Sequence, residues 1–276
     1  MPPIDAPLGV IAGRGALPRM LVEAARKRGE RVVAIVFDRE SHDQLAGVAD
    51  ETHLVGLAQA GKTIETLKAA GVKRVAFIGK VDKRVLFENP RFDMKALSIL
   101  RRLDLKNDDA VMGGIVDALE REGFEVADQA QMLRSLMPPA GCFTRSRPTA
   151  EQQTDIAFGL RMAKGIGALD IGQTVVVKDG AVIAVEAIDG TDETIRRAGP
   201  LCKGGGVVCK VAKPRQDQRF DIPAVGEGTV AAMIDAGMSA LAIEAERTLV
   251  VGVEEVAAAC ERAGIVFVAA AVEETL

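Results

Sequence analysis

Tryptophan and tyrosine are missing from this 276-residue chain, and aromatics as a whole amount to 3%. The core must therefore be aliphatic, and stacking platforms for single-stranded nucleic acid are scarce. A formal net charge of −4 removes the basic footprint of a nucleic-acid binder as well, so no nucleic-acid partner is expected. Histidine occurs only at His42 and His53. Both read as surface or satisfied side chains, since no other histidine is available to pair with them. The second half of the chain has none, which excludes a serine–histidine hydrolase there and a histidine-rich dimetal phosphoesterase. The first half has no Gly-x-Ser-x-Gly elbow. Cys142, Cys202, Cys209 and Cys260 form no Cys-x-x-Cys pair, so zinc has few candidate ligands. No apolar run reaches the ~18 residues of a spanning helix. No signal peptide is read at the start, so a reduced, cytoplasmic protein is expected, with any membrane contact peripheral.

What the chain does contain is aliphatic runs alternating with helical spacing. Leu8–Ala12 is a short apolar run ended by Gly13-Arg14-Gly15. A helical stretch follows from Leu17 to Arg28, then a second β-branched run from Arg31 to Phe37. Strand, glycine turn, helix, strand is the opening of a Rossmann-like, doubly wound sheet. Such a loop presents backbone N–H groups to an anion. Pro18 stands where the third glycine of the dinucleotide fingerprint belongs, so the glycines equally suit a plain tight turn. Further on, Val72–Ile78 reads as a strand ending in Gly79-Lys80, at the sheet edge where open α/β folds bind ligands. Asp82 can equally neutralise Lys80. Helices are expected over 93–102 and 109–122, and a short strand over 124–127.

Met137-Pro138-Pro139-Ala140-Gly141 marks a break. It divides the chain into an N-terminal α/β domain (residues 1–136), a linker (137–149) and a C-terminal α/β domain (150–276). Beside the break, Thr144, Arg145, Arg147 and Thr149 can touch phosphate at a domain cleft, and Thr149 with Gln152 also fits a capping box. In the second half, Asp179-Gly180 joins two strands as a hairpin. Glu186 and Asp189, with Asp192, form an acidic patch that either binds metal or caps the following helix.

The densest chemistry lies at Lys213–Gly226, where Lys213, Arg215 and Arg219 crowd Asp217 and Asp221. The two aspartates are four apart, a spacing that shares one face of a helix or of a strand. Pro223 favours an extended or turning backbone. Two acids beside fixed cations suit Mg²⁺ and a phosphate-bearing substrate; a solvated loop with self-paired charges is the plainer alternative. A substrate bound between the two domains would meet Gly13, Gly15 and Lys80 on one side and the Asp217/Asp221 segment on the other.

Four motifs carry a resemblance: Gly-Arg-Gly-x-Leu-Pro (13–18), Phe-Ile-Gly-Lys-Val (77–81), Val-Glu-Ala-Ile-x-Gly-Thr-Asp (185–192) and Lys-Pro-x-Gln-Asp-x-Arg-Phe-Asp-x-Pro-x-Val-Gly (213–226). Together they resemble the UDP-2,3-diacylglucosamine pyrophosphatases of lipid A biosynthesis, of the histidine-poor, Mg²⁺-dependent type. The resemblance spans essentially the whole chain. It implies a UDP-binding first domain and a hydrolytic second one. It implies cleavage of the acylated UDP-sugar to UMP and 2,3-diacylglucosamine 1-phosphate, by water attack on the sugar-side phosphorus. It places nucleotide contacts at Gly13, Gly15, Leu17, Gly79 and Lys80, to which Gln129 is added. Catalysis falls to Asp221, Asp217, Lys213 and Arg219, with Asp221 the most sensitive position. Metal ligation is expected from Asp217 and Asp221, joined by Glu186 and Asp189. The resemblance further implies peripheral work at the inner face of a Gram-negative inner membrane, and a homodimer is possible. The competing readings are a nicotinamide-dependent oxidoreductase, from the Gly13–Gly15 loop, and a non-catalytic nucleotide-sugar sensor.

Overall fold

A computed structural model describes residues 6–81, 92–101 and 108–272. The chain divides into two compact units, residues 1–132 with 217–220, and residues 133–216 with 221–276. Asp82 lies outside the described residues, and so does its pairing with Lys80.

The first unit is built on five parallel strands: β1 (Leu8–Ala12), β2 (Val32–Val36), β3 (Glu51–Leu54), β4 (Arg74–Ile78) and β5 (Glu125–Val126), in the order β3-β2-β1-β4-β5. Every residue of β1 and β2 is buried, as a parallel sheet covered on both faces requires. Helix α1 (Leu17–Lys27) lies against β1, β2 and β4 through Pro18, Leu21, Val22 and Ala25, an i, i+3, i+4, i+7 stripe. Ile11, Val33, Ile35, Val75 and Phe77 point into a core shared with helix α3 (Ala60–Ala69) and helix α5 (Asp108–Arg121). Between β2 and β3 runs helix α2 (Arg39–Leu45), and helix α4 (Met94–Leu100) precedes α5. Helix α6 (Gln129–Met132) ends the unit's main stretch. The strand β3 is half-exposed and mostly polar, an edge strand with no hydrophobic run to announce it.

The second unit carries a six-stranded mixed sheet, β6 (Gly141–Cys142), β7 (Thr174–Lys178), β8 (Ala181–Val185), β9 (Val207–Lys210), β11 (Ala240–Glu244) and β13 (Val266–Ala270), in the order β6-β13-β11-β9-β7-β8. Strands β9, β11 and β13 run parallel. Asp179 and Gly180, both at positive φ, turn β7 into β8 as their sequence predicts. The Asp155 carboxylate pins that turn by accepting both of its N–H groups at 2.9 and 2.7 Å. Helix α7 (Ala150–Ala168) covers β7, β9 and β11 on one face. Helices α8 (Thr191–Cys202), α9 (Glu227–Asp235) and α10 (Val253–Ala263) pack around the core of the other. A separate two-strand pair, β10 (Ala224–Val225) and β12 (Leu249–Val250), completes the unit. Residues 137–149 are more than a linker: β6 pairs antiparallel with β13, and Phe143 stacks 5.1 Å from Phe267.

Candidate active site

In the first unit, the loops after β1 and β4 meet at the carboxyl edge of the sheet. Gly13 N–H donates to the Ile78 carbonyl (2.8 Å), Arg14 N–H to Lys80 (2.8 Å) and Lys80 N–H back to Arg14 (3.0 Å). A Cβ on Gly13 would come within 2.4 Å of the Lys80 carbonyl oxygen. Gly79 is held at φ +90° against Pro18 and the Arg14 carbonyl. These glycines permit the close approach of two loops, and the N–H groups of Gly13, Arg14 and Lys80 serve the junction itself. Gly15 differs: it sits at φ +107° with open space around it, just before α1. That helix has neither a side-chain cap nor an acidic residue in its first turn. Leu17 is half-buried and Lys80 is exposed. Gln129, expected among the substrate contacts, is buried, and its amide donates to the Phe77 carbonyl at 2.8 Å. It braces β4.

The Lys213–Asp221 segment is shared between the units. Asp217 to Phe220 belong to the first unit, where Phe220 packs on the hydrophobic core. Asp217 grips Arg219 through its guanidinium (2.7 Å) and its backbone N–H (3.0 Å), and Arg219 also reaches Glu120 of α5 at 3.0 Å. The Arg219 hydrogen bonds hold the Asp217 carboxyl below its ordinary range against partial burial. Asp221 belongs to the second unit and accepts from the Gln216 amide at 2.5 Å. The four-residue spacing therefore does not build a matched pair. One acid is neutralised by an arginine two residues on, and the other accepts from the Gln216 amide.

Asp221 stands at one end of a hydrogen-bonded chain inside the second unit. The Gln216 amide also donates to the Gln173 side-chain oxygen Oε1 (3.3 Å), and Gln173 backbone N–H donates to Glu186 (3.2 Å). Glu186 accepts from the Thr191 hydroxyl (2.7 Å), which in turn accepts from the Lys210 ammonium (2.6 Å). Glu186 and Lys210 are both buried. Burial pushes the Glu186 carboxyl up, yet Lys210, Thr174, Thr191 and Gln173 together hold it below its usual value. Lys213 closes the loop by donating its N–H to Gln216 (2.9 Å) and its ammonium to Asp170 (2.6 Å). Asp189 is occupied by Arg197 (2.8 Å) and the Ala187 N–H (3.0 Å), the Arg197 bond keeping its pKa low. Neither Asp189 nor Thr191 caps α8, whose N-cap is Gly190. Among the described residues no three His, Cys, Asp or Glu side chains come together as a metal-sized group. Glu186 and Asp189 each engage local partners, Gln173 and Thr191 for the first and Arg197 and Ala187 for the second.

Thr144, Arg145, Arg147 and Thr149 fall elsewhere. The Thr144 hydroxyl accepts from Phe267 N–H (3.1 Å), near the start of β13, and donates to the Ser146 carbonyl (3.0 Å). Arg145 N–H meets Glu261 of α10. Thr149 caps α7 in a capping box with Gln152, whose amide reaches Ser239 just before β11. This group lies at the amino ends of β11 and β13, while Glu186, Lys213 and Asp221 gather beyond the carboxyl end of β9. Parallel strands of four or five residues separate those ends by about 15 Å. A polar stretch next to a domain break gave no sign of which end it would occupy. Lys210, Gln173 and Gln216 carry no expected role in the sequence reading, and Thr191 only that of a helix cap. A lysine inside the otherwise apolar run Val207–Val211 is the available signal.

Two family models match the chain in succession. Residues 7–136 match the LpxI N-terminal domain, and residues 139–268 match the LpxI C-terminal domain. The chain belongs to the LpxI family. Its similarity to a member named UDP-2,3-diacylglucosamine pyrophosphatase LpxI, from Caulobacter vibrioides, is 37% identity across 94% of this chain and 95% of that protein. Likeness to solved structures is slight. Glycinamide-RNase-transformylase T of Mycobacterium tuberculosis gives a TM-score of 0.27 at 16% identity, over 66% of this chain and 44% of that one. N5-carboxyaminoimidazole synthetase of Staphylococcus aureus gives 0.26 at 14% identity, over 74% and 46%. Neither carries an argument about an LpxI chain.

Proposed function

We propose that the chain hydrolyses the pyrophosphate bond of UDP-2,3-diacylglucosamine, yielding UMP and 2,3-diacylglucosamine 1-phosphate for lipid A synthesis. The observation that carries this reading is the 37% identity, over nearly the whole of both chains, to the LpxI pyrophosphatase of Caulobacter vibrioides. In this reading the first unit is a Rossmann-like nucleotide binder. Its parallel sheet supports it, as does the α1 N-terminus, whose uncapped positive end beside Gly15 suits a phosphate. The second unit is the hydrolytic one. Asp221 orients the attacking water and takes its proton, while Lys213 stabilises charge building on the phosphoryl oxygens. Water adds its oxygen to the sugar-side phosphorus, the bond to the UMP oxygen breaks, and UMP leaves. Arg219 acts through Asp217, which it holds ionised.

Mg²⁺ fits this arrangement in a limited way. It is commonly held by one or two carboxylates together with substrate phosphate and water, so Asp221 with the diphosphate suffices without Glu186 or Asp189. When bound it would screen the phosphate charge and acidify a water ligand. The second unit also has an aliphatic groove of about 460 Å³, lined by Ile156, Leu160, Val268 and Val272, which suits an acyl chain. Among the described residues no helix is long and apolar enough to cross a membrane. Leu169, Ile171 and Ile188 are exposed on loops of the second unit, and we assign them to peripheral contact with the inner face of the inner membrane. The same side chains would serve a homodimer, and light scattering with and without lipid vesicles separates the two uses.

The decisive experiment is turnover in H₂¹⁸O with mass spectrometry of both products. The label is expected on 2,3-diacylglucosamine 1-phosphate alone. Label on UMP would overturn the direction of attack, and intact substrate with Mg²⁺ present would overturn the activity.

A further inference from the structure

We propose that Lys164 and Glu244 are positioning residues for the segment that carries Asp221. The inference rests on the hydrolase reading for its kinetic readout, but its geometry stands alone. Lys164 lies in α7 and Glu244 ends β11, 80 residues apart. Each side chain is only 4% exposed, and the ammonium meets the carboxylate at 2.8 Å. Neither charge needs the other alone. The Lys164 ammonium donates to the Ala212 carbonyl at 2.9 Å, and Ala212 N–H donates to the second Glu244 oxygen at 2.8 Å. The three groups close a ring on a single peptide residue, with a cation on its C=O and an anion on its N–H.

Ala212 is the second residue past β9, where the sheet ladder has ended and the chain turns toward Lys213 and Asp221. Its own methyl side chain offers little to anchor it. On either side, Val211 N–H is held by the Gln173 carbonyl (3.0 Å) and Lys213 N–H by the Gln216 side chain (2.9 Å). Three successive N–H groups are thereby fixed, and the middle one uses a buried charge. That choice is informative. Taking two charges out of water is expensive, and apolar replacements of a buried pair are often neutral or stabilising. A pair kept only for stability would be replaceable; a pair that sets the direction of a loop would not.

Two double variants separate these roles. Lys164→Met with Glu244→Leu removes both charges and both backbone bonds. Lys164→Gln with Glu244→Gln removes the charges but can restore all three hydrogen bonds. The apolar pair is expected to melt at or above the parent temperature, to lose kcat by roughly 10–100-fold with KM little changed, and to lose amide-exchange protection at Ala212. The glutamine pair is expected to keep kcat within about threefold and to keep that protection. An apolar pair with parental kcat and a protected Ala212 amide overturns the proposal. So does a folded glutamine pair that is as slow as the apolar one. If the parent itself fails to cleave the acylated UDP-sugar, the hydrolase reading falls, and amide exchange at Ala212 alone decides the clamp.

Discussion

Replacing Gly13 by alanine puts a methyl group where the structure has backbone. The new Cβ would stand 2.4 Å from the Lys80 carbonyl oxygen, 2.7 Å from its carbon and 3.0 Å from the Gly79 carbonyl carbon. No flexible side chain can yield, so the loops must part by about 1 Å to reach ordinary contact near 3.4 Å. Of the three hydrogen bonds at that junction, Arg14 to Lys80 and Lys80 to Arg14 lie at the clash. Loosening them costs about 0.5–1.5 kcal/mol each, and backbone displacement adds about 1–3 kcal/mol. A loss of roughly 2–6 kcal/mol in the first unit follows. At about 3–5 °C per kcal/mol for a unit this size, its thermal transition should fall by roughly 10 °C or more. The control is Gly15→Ala, which meets no atom within 4 Å and pays only for its φ of +107°. Circular dichroism melting and calorimetric titration with UDP read both variants. Gly13→Ala should lose stability and UDP affinity together. A Gly13→Ala protein that melts and binds like the parent would refute the claim that close loop approach, rather than phosphate contact, explains this glycine.

The remaining predictions concern the acids. Asp221→Ala should lower kcat by about 10³-fold while substrate still binds, as equilibrium dialysis with Mg²⁺ omitted would show; parental turnover would remove Asp221 from the mechanism. Glu186→Gln removes a buried carboxylate beside the Lys210 charge and should cost roughly 3 kcal/mol in urea unfolding, while the Mg²⁺ concentration for half-maximal rate stays unchanged. A large rise in that concentration with normal stability would return Glu186 to the metal. Hydrogen bonds from Lys68 and Lys95 lower the Glu122 pKa to about 2, so its folded value lies below its unfolded one. Its contribution is thus present above about pH 4.5 and lost as pH falls toward about 2. Glu122→Gln should flatten the acid limb of the stability curve by less than about 1 kcal/mol, since the group is partly solvated. An unchanged limb would show the pairing to be idle.

Much of this chain could be read from near neighbours. Apolar runs of five, such as Val32–Val36, declare a strand buried on both faces because nothing polar interrupts them. Asp179-Gly180 can take the positive φ values that the β7–β8 turn needs, and Thr149 with Gln152 closes a capping box within one helical turn. Those are determined by the sequence alone, because the groups that decide them lie a few residues apart. The polar, half-exposed β3 gave no such signal.

The environment of each acid was settled only by tertiary structure. Asp217 and Asp221 look equivalent at a spacing of four, yet Arg219 and Glu120 draw the first into one unit while Gln216 holds the second in the other. Glu186 lies in an acidic patch whose partners, Lys210 and Thr191, come from separate elements. The Thr144 hydroxyl meets Phe267 N–H of β13, 123 residues on in the chain. A carboxylate's charge is worth what its surroundings make it, and those surroundings come from residues far away in the chain. Pattern reports where acids are concentrated; only packing decides which of them remain available for chemistry.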